Sequence, residues 1–239
     1  MNVTVHRGGF DTDEKYRGVP VHAFSGVHEA VASVLEQRLP RGARIADLGA
    51  GHGALSLRLQ DRGFNVIAFD LDCGDWQAKG VDCYQSDLNA PLDAVAAKGP
   101  FDAICVLEVI DHLENPRQFL KELLRLRKSS GSLLVLTMPN PLDTFSCIAM
   151  MTRGIFSWAG PAQYEGGGHI SLLPHWLVEG HLRHLGVEQL EWRFLAPYHH
   201  PSAAKRVIYQ GVSTVRRVFA RVDDTAFFEG QTAMVVAVI

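Results

Sequence analysis

Two rhythms of apolar positions alternate along the chain. Short apolar runs bounded by Gly, Pro or Asp occupy residues 43–49 (ARIADLG), 65–72 (NVIAFDLD), 81–87 (VDCYQSD), 101–109 (FDAICVLEV) and 131–141 (GSLLVLTMPNP). Runs of this length and composition predict strands buried on both faces. Between them, residues 26–39, 53–63 and 116–128 carry apolar side chains at helical spacing. Pro40 stops the first and Gly63 the second, while the third opens on Pro116 and loads cations into its last turn, both favourable to a helix. Further on, the pattern predicts a helix over 174–186, a strand over 187–196, a long helix over 202–222 and a closing strand over 232–239. Residues 142–162 mix apolar residues with Gly and Pro and read as a mobile cap, part of an insertion reaching about residue 173. Strands alternating with helices imply a parallel sheet wound on both sides, with ligands at the carboxyl ends of the strands. No repeat or linker interrupts the pattern, so residues 1–239 read as a single domain.

Composition changes this picture little. The formal net charge of −3 gives no reason to expect nucleic acid. The four cysteines (Cys73, Cys83, Cys105 and Cys147) form no C-x-x-C pair and read as small buried hydrophobes, with no disulfide or zinc site required. The polar N-terminal stretch MNVTVHRGGFDTDEKYRG lacks the apolar core of a signal peptide, and no apolar run approaches the ~20 residues that span a bilayer. A cytoplasmic protein is expected, at most peripheral to a membrane.

The most informative stretch is Asp47-Leu48-Gly49-Ala50-Gly51-His52-Gly53, set between a predicted strand and a predicted helix. Glycines there let the backbone turn tightly and approach a ligand. Gly49, Gly51 and Ala54 also satisfy a dinucleotide fingerprint, and Asp70 falls where such a fold binds a ribose diol. Asp47 decides between ligands. A pyrophosphate against this turn would be repelled by the adjacent carboxylate, which argues against a nicotinamide-linked oxidoreductase, whereas S-adenosylmethionine has no phosphate and presents an ammonium and a sulfonium. Asp87, at the end of the third predicted strand, supplies a third acid that can accept from an adenine amino group.

These segments carry a family resemblance. ADLGAGHG resembles the glycine motif of class I S-adenosylmethionine-dependent methyltransferases, and FDAICVLEVIDHLENP resembles their fourth-strand signature. GSLLVLTMPNP and GGHISLLPHWL extend the similarity over roughly residues 25–195, toward the ubiquinone-biosynthesis O-methyltransferase group. The resemblance implies a Rossmann-like seven-stranded sheet, mostly parallel with an antiparallel C-terminal strand. It implies that Asp47, Gly49, Gly51 and Gly53 hold the methionine part of the cofactor, Asp70 the ribose and Asp87 the adenine. Ala50, Leu71, Ser86, Leu88 and Leu107 complete the set beside them. Ala50 stands where Cys is usual, and His52 where Asp or Thr is common, which removes one candidate cofactor contact.

Methyl transfer to a hydroxyl needs a nucleophile held at near-attack distance and somewhere for one proton to go. Glu108, Asp111 and His112 follow the fourth predicted strand, and His169 follows the glycines at 166–168. The fourth and fifth strands are expected beside the first, which would bring these four residues together. Three roles stay open for them: a divalent metal site of the kind found in the resembling families, a metal-free base at His169 assisted by His112 and Glu108, or positioning alone. Two carboxylates with two imidazoles suit Mn²⁺ or Zn²⁺ better than Mg²⁺. His181 and His184 share a helix face and read as surface residues.

On the acceptor side, Ile208, Val212, Val215, Phe219 and Val222 line one face of the predicted 202–222 helix, whose charges are Lys205, Arg206, Arg216, Arg217 and Arg221. Such a helix is expected to pack its apolar face on the core with the basic face solvated, or else to meet an anionic membrane or substrate. With the apolar segment at 142–162 this favours a small acceptor that is aromatic, lipid-linked or a sugar, and O-methylation. N-methylation of a small molecule and a non-catalytic cofactor-binding protein of the same fold are the alternatives. The sequence leaves the oligomeric state open.

Overall fold

The computed structural model describes residues 14–197, 202–220 and 226–239. The N-terminal stretch read for a signal peptide lies outside the described residues up to position 13, as do Arg221 and Val222. A two-stranded hairpin, β1 (Lys15–Tyr16) and β2 (Val19–Pro20), precedes helix α1 (Val27–Arg38). The alternation then runs β3 (Arg44–Leu48), α2 (Ala54–Asp61), β4 (Asn65–Asp70), β5 (Asp82–Gln85), α3 (Asp93–Ala96), β6 (Ala103–Leu107), α4 (Pro116–Leu123) and β7 (Leu133–Pro139). After β7 come α5 (Thr144–Arg153), α6 (Pro161–Gly167), α7 (His175–His184), β8 (Leu190–Pro197), α8 (Ala203–Phe219) and β9 (Gly230–Val238).

The seven-stranded sheet has the order β5-β4-β3-β6-β7-β9-β8. Strands β3 to β7 pair parallel, and β9 runs antiparallel to both β7 and β8, so only the C-terminal strand is reversed. The central strands β6, β7 and β9 are buried on both faces because each face is covered. Ile45, Ala103, Cys105, Val135 and Val236 pack with α1 and α2 residues such as Val31, Leu35 and Leu59. Their neighbours one position along, Ala46, Ile104, Val106, Leu136 and Val235, pack instead with Phe119, Leu123, Val178 and Leu182 of α4 and α7. The period-two alternation of a strand thus feeds two helical layers.

Three expectations need correction. The fifth strand, β7, is not a neighbour of the first; β6 lies between them. The segment at 142–162 is largely helical, anchored where Asp143 accepts from Phe145 N at 2.7 Å and Ser146 N at 3.1 Å as the N-cap of α5. And two cysteines are joined: Cys73 and Cys83 form a disulfide with Cα atoms 6.0 Å apart. The crossover from β4 to the adjacent β5 contains no helix, so the chain doubles back and sets these residues side by side. Cys105 is buried and free, as the apolar reading expects.

A candidate active site at the crossover of the sheet

From β3 the chain winds outward through β4 and β5, then returns to place β6 on the other side of β3. The carboxyl ends of β3 and β6 therefore flank the topological switch point, where open α/β sheets bind ligands. Asp47, Gly49, Ala50 and Gly51 from the β3 side face Leu107 and Glu108 from the β6 side across one cleft. Ala54 and Leu55 of α2 continue its wall, and Pro20 of the N-terminal hairpin, His22 in the segment after it and His28 of α1 close it.

The glycine loop is shaped by what it must pass. Gly49 has φ +72°, and a Cβ there would lie 2.3 Å from Val109 Cγ2, so no side chain fits. Gly53, with φ +94°, N-caps α2, and a Cβ there would lie 2.5 Å from Ala78 Cβ and 2.7 Å from the Trp76 ring. Asp70 at the end of β4 fixes the loop from the other side, its Oδ2 accepting from Gly51 N at 2.7 Å. His52 points away into a second contact, its Nδ1 2.7 Å from His22 Nε2 with the two rings stacked.

Asp47 is buried at the floor of the cleft, where its Oδ2 accepts from Ser56 Oγ at 2.6 Å. Burial pushes its carboxyl up to about 6; the Ser56 hydrogen bond opposes this, and the charge of Asp70 adds to it. His28 is also buried. Desolvation, with Arg58 and His22 nearby, holds its imidazole down at about 4, so it is neutral at physiological pH. Its Nδ1 has no hydrogen-bond partner among the described residues. A buried cation-seeking carboxylate and an unpaired imidazole nitrogen fit a zwitterionic ligand carrying an ammonium group. Farther along the edge, Ser86 and Leu88 are nearly buried while Asp87 and Leu71 are exposed.

Glu108 occupies the left-handed region at φ +53°, an unusual conformation for a non-glycine residue. Thr137 of β7 holds it there, its carbonyl accepting from Glu108 N at 3.1 Å and its hydroxyl donating to Glu108 Oε1 at 2.7 Å. Burial and the neighbouring Asp111 raise the Glu108 carboxyl to about 8, and Oε2 has no partner among the described residues. The turn Ile110–His112 follows, then the loop from α6 returns over it. Ile170 N and Ser171 N both donate to the Asp111 carbonyl, at 3.0 and 2.9 Å. That pairing sets His169 Nδ1 2.5 Å from Asp111 Oδ2, with the His112 and His169 ring centres 4.5 Å apart.

Asp111, His112 and His169 thus form one cluster whose ligand atoms lie within 4.8 Å of one another. Glu108 falls outside that cluster and belongs to the wall of the cofactor cleft. His112 is held below its ordinary pKa by desolvation, against the pull of Asp111. Beside the cluster runs a narrow cleft lined by Asp111, Pro139, Pro141, Trp158, Leu172 and Leu173. Among the other histidines, His184 is exposed and His181 half-buried.

Two features of the cleft were not anticipated. His28 had a signal, since it shares a helix face with Val31 and Leu35 and must therefore face the sheet. His22, in an irregular segment, had none.

A methyltransferase domain matches residues 22–202, three-quarters of the chain and every residue named for the clefts just described except Pro20. The chain belongs to the methyltransferase domain family. Among its relatives is a ubiquinone biosynthesis O-methyltransferase of Caulobacter vibrioides, 25% identical over 172 residues that cover 64% of this chain and 68% of that one. Another with the same name, from Xylella fastidiosa, is 30% identical over 134 residues covering 53% of each chain. A SAM-dependent methyltransferase of Archaeoglobus fulgidus shares the fold, with a TM-score of 0.59 at 18% identity over 93% of this chain and 95% of that one. The protein is an S-adenosylmethionine-dependent methyltransferase.

Proposed function

We propose that this methyltransferase transfers the methyl group to a hydroxyl of a small aromatic or lipid-linked acceptor, with His169 taking the proton. The observation that carries this reading is the Asp111–His169 pair, 2.5 Å apart at the mouth of an apolar cleft. An amine nucleophile needs no such device, whereas a hydroxyl must lose its proton as it attacks.

In this reading Asp47 and the neutral His28 bind the methionine ammonium and carboxylate, while the backbone of Gly49, Ala50, Gly51 and Gly53 closes around that end. Asp70 accepts from the ribose hydroxyls beside Leu71, and Asp87 accepts from the adenine amino group between Ser86 and Leu88. Leu107 walls the sulfur side, with the raised pKa of Glu108 keeping a second negative charge out of the cleft near neutral pH. S-adenosylmethionine supplies an activated methyl group, so the protein's task is placement and proton transfer. Asp111 Oδ2 accepts from His169 Nδ1–H, which leaves Nε2 free to take the acceptor proton and stabilises the imidazolium that results. A flat acceptor would lie along Trp158, Leu172 and the two prolines, where the narrow cleft opens. The O-methyltransferase names of the relatives support oxygen as the nucleophile.

One carboxylate and two imidazoles also suit a divalent ion of borderline softness, which would acidify the acceptor hydroxyl when bound. The residues that would hold it are Asp111, His112 and His169. Labelled S-adenosylmethionine, offered with a panel of isoprenoid-bearing catechols and their aniline counterparts, tests the acceptor class. Methylation of catechols is expected. Methylation confined to the anilines refutes the reading. On an active acceptor, His169→Ala should lower kcat by ~10²–10⁴. Loss of wild-type activity on chelation, restored by Mn²⁺ or Zn²⁺, would assign the cluster to a metal.

A further inference from the structure

Of the placements expected for helix α8, the structure does not show the one with the apolar face packed on the core. Its inward line is Tyr209, Ser213 and Arg216. Tyr209 is buried, Ser213 Oγ donates to Glu229, and Arg216 donates to Thr144 Oγ1 at 3.0 Å and to the Leu142 carbonyl at 2.8 Å. The Arg216 guanidinium also lies 4.0 Å from the centre of the Phe228 ring. The helix is therefore fastened to α5 by polar contacts, and the arginine expected in solvent is one of the fasteners. The outward line is Val207, Ile208, Val215, Val218 and Phe219, between 56% and 79% exposed. Five large apolar side chains facing water along one helix mark a surface with a partner.

The charges around that line select the partner. Residues 202–222 contain no acid and, besides the inward Arg216, four cations, in a chain whose net charge is −3. Arg206 and Arg217 are exposed beside the apolar line, and Arg217 shares Glu229 at 2.9 Å. A second copy pairing through this face would bring two like-charged helices together, because a two-fold contact places the same patch on both sides. An anionic lipid surface complements both the apolar line and its basic margin. The placement agrees. Strand β8 runs parallel to β3 through β7, so the insert holding α8 leaves the sheet at the carboxyl edge and returns there at β9, the edge that carries both clefts.

We infer that the outward face of α8 docks on an anionic bilayer, with Val207, Ile208, Val215, Val218 and Phe219 in the interface and the basic margin among the headgroups. The mouth of the acceptor cleft then opens toward the membrane. That last consequence rests on the proposed lipid-linked acceptor; the docking does not, and it is measured without acceptor or cofactor. The full chain is floated with vesicles of phosphatidylcholine alone and of phosphatidylcholine with 30% phosphatidylglycerol. Binding is expected to the anionic vesicles only. The double variant V218S/F219S should bind at least tenfold more weakly, and Arg206→Glu about tenfold more weakly at 0.1 M salt with the difference fading at 0.5 M. All of these side chains are exposed, and unchanged thermal unfolding and cofactor binding confirm that the variants are folded. Wild type that ignores anionic vesicles, or V218S/F219S that binds them equally, overturns the inference. So does a lipid-free dimer that V218S/F219S converts to monomer, which would assign the face to a second copy.

Discussion

Asp47 ties cofactor affinity to pH in a way that can be worked out in advance. In the free protein its carboxyl is pushed to about 6 by burial, from an ordinary value of 3.8. The ionised form is the one that attracts an ammonium group. At pH 7 roughly ten-elevenths of the free protein carries that charge, and at pH 5 roughly one-eleventh, so affinity should fall about tenfold over those two pH units. Stability moves the opposite way. An acid whose folded pKa is raised opposes folding when ionised, by ~3 kcal/mol above pH 6 for a shift of about two units. That penalty disappears as pH falls from about 6 toward 4. Asp47→Asn removes both effects at once: the free protein should be stabilised by up to ~3 kcal/mol at pH 7, because Ser56 Oγ keeps an acceptor, while cofactor binding weakens and loses its pH dependence. Calorimetric titration of S-adenosylhomocysteine at pH 5, 6 and 7, with thermal melts of the ligand-free proteins, measures each part. Wild-type affinity constant within twofold over that range refutes the reasoning. A slope that survives in Asp47→Asn refutes it equally, since it would assign the titration to another group such as His22.

Three further outcomes are expected. Asp70→Ala should weaken S-adenosylhomocysteine binding by ~1–3 kcal/mol, through loss of a charged acceptor and of the pin on Gly51 N, as read by the same calorimetry. Gly49→Ala should destabilise the protein by at least ~2 kcal/mol in denaturant titration, because its Cβ would collide with Val109 in a left-handed backbone. Thiol counting under denaturing conditions without reductant should find two free cysteines of the four, Cys105 and Cys147, and Cys73→Ser should cost up to ~3 kcal/mol for a loop this short.

The centre of the sheet was legible because its signal is redundant: the strands β3, β4, β6 and β7 are apolar runs closed by Gly, Pro or Asp, and both their faces are covered. The glycine loop and Asp47 were legible for a different reason, since a tight turn beside an acid restricts the ligand's charge. Contacts between distant segments were not. Cys73 and Cys83 are ten residues apart, and only the missing helix in their crossover brings them together. The orientation of α8 was left between two readings because its apolar stripe is real, and nothing in a stripe says whether protein or something else will cover it. The side that packs is set by Tyr209, Ser213 and Arg216, whose partners Phe228, Glu229 and Leu142 lie elsewhere in the chain. Asp111 and His169 stand 58 positions apart and were expected together from the strand order and the family likeness, not from any local pattern.

Val109 stands one residue after Glu108 and two before Asp111, and its methyl group fills the space that a side chain on Gly49 would need. The loop that would seat the cofactor and the loop that would receive the acceptor are therefore two faces of one contact, and neither can shift without pressing on the other. Any coupling between ligands on its two sides would pass through this contact. Whatever factor one ligand contributes to the affinity of the other is returned in equal measure. An order of binding, if turnover displays one, would then be a property of rates laid over a symmetric equilibrium, with a single isopropyl group as the part the two halves of the site share.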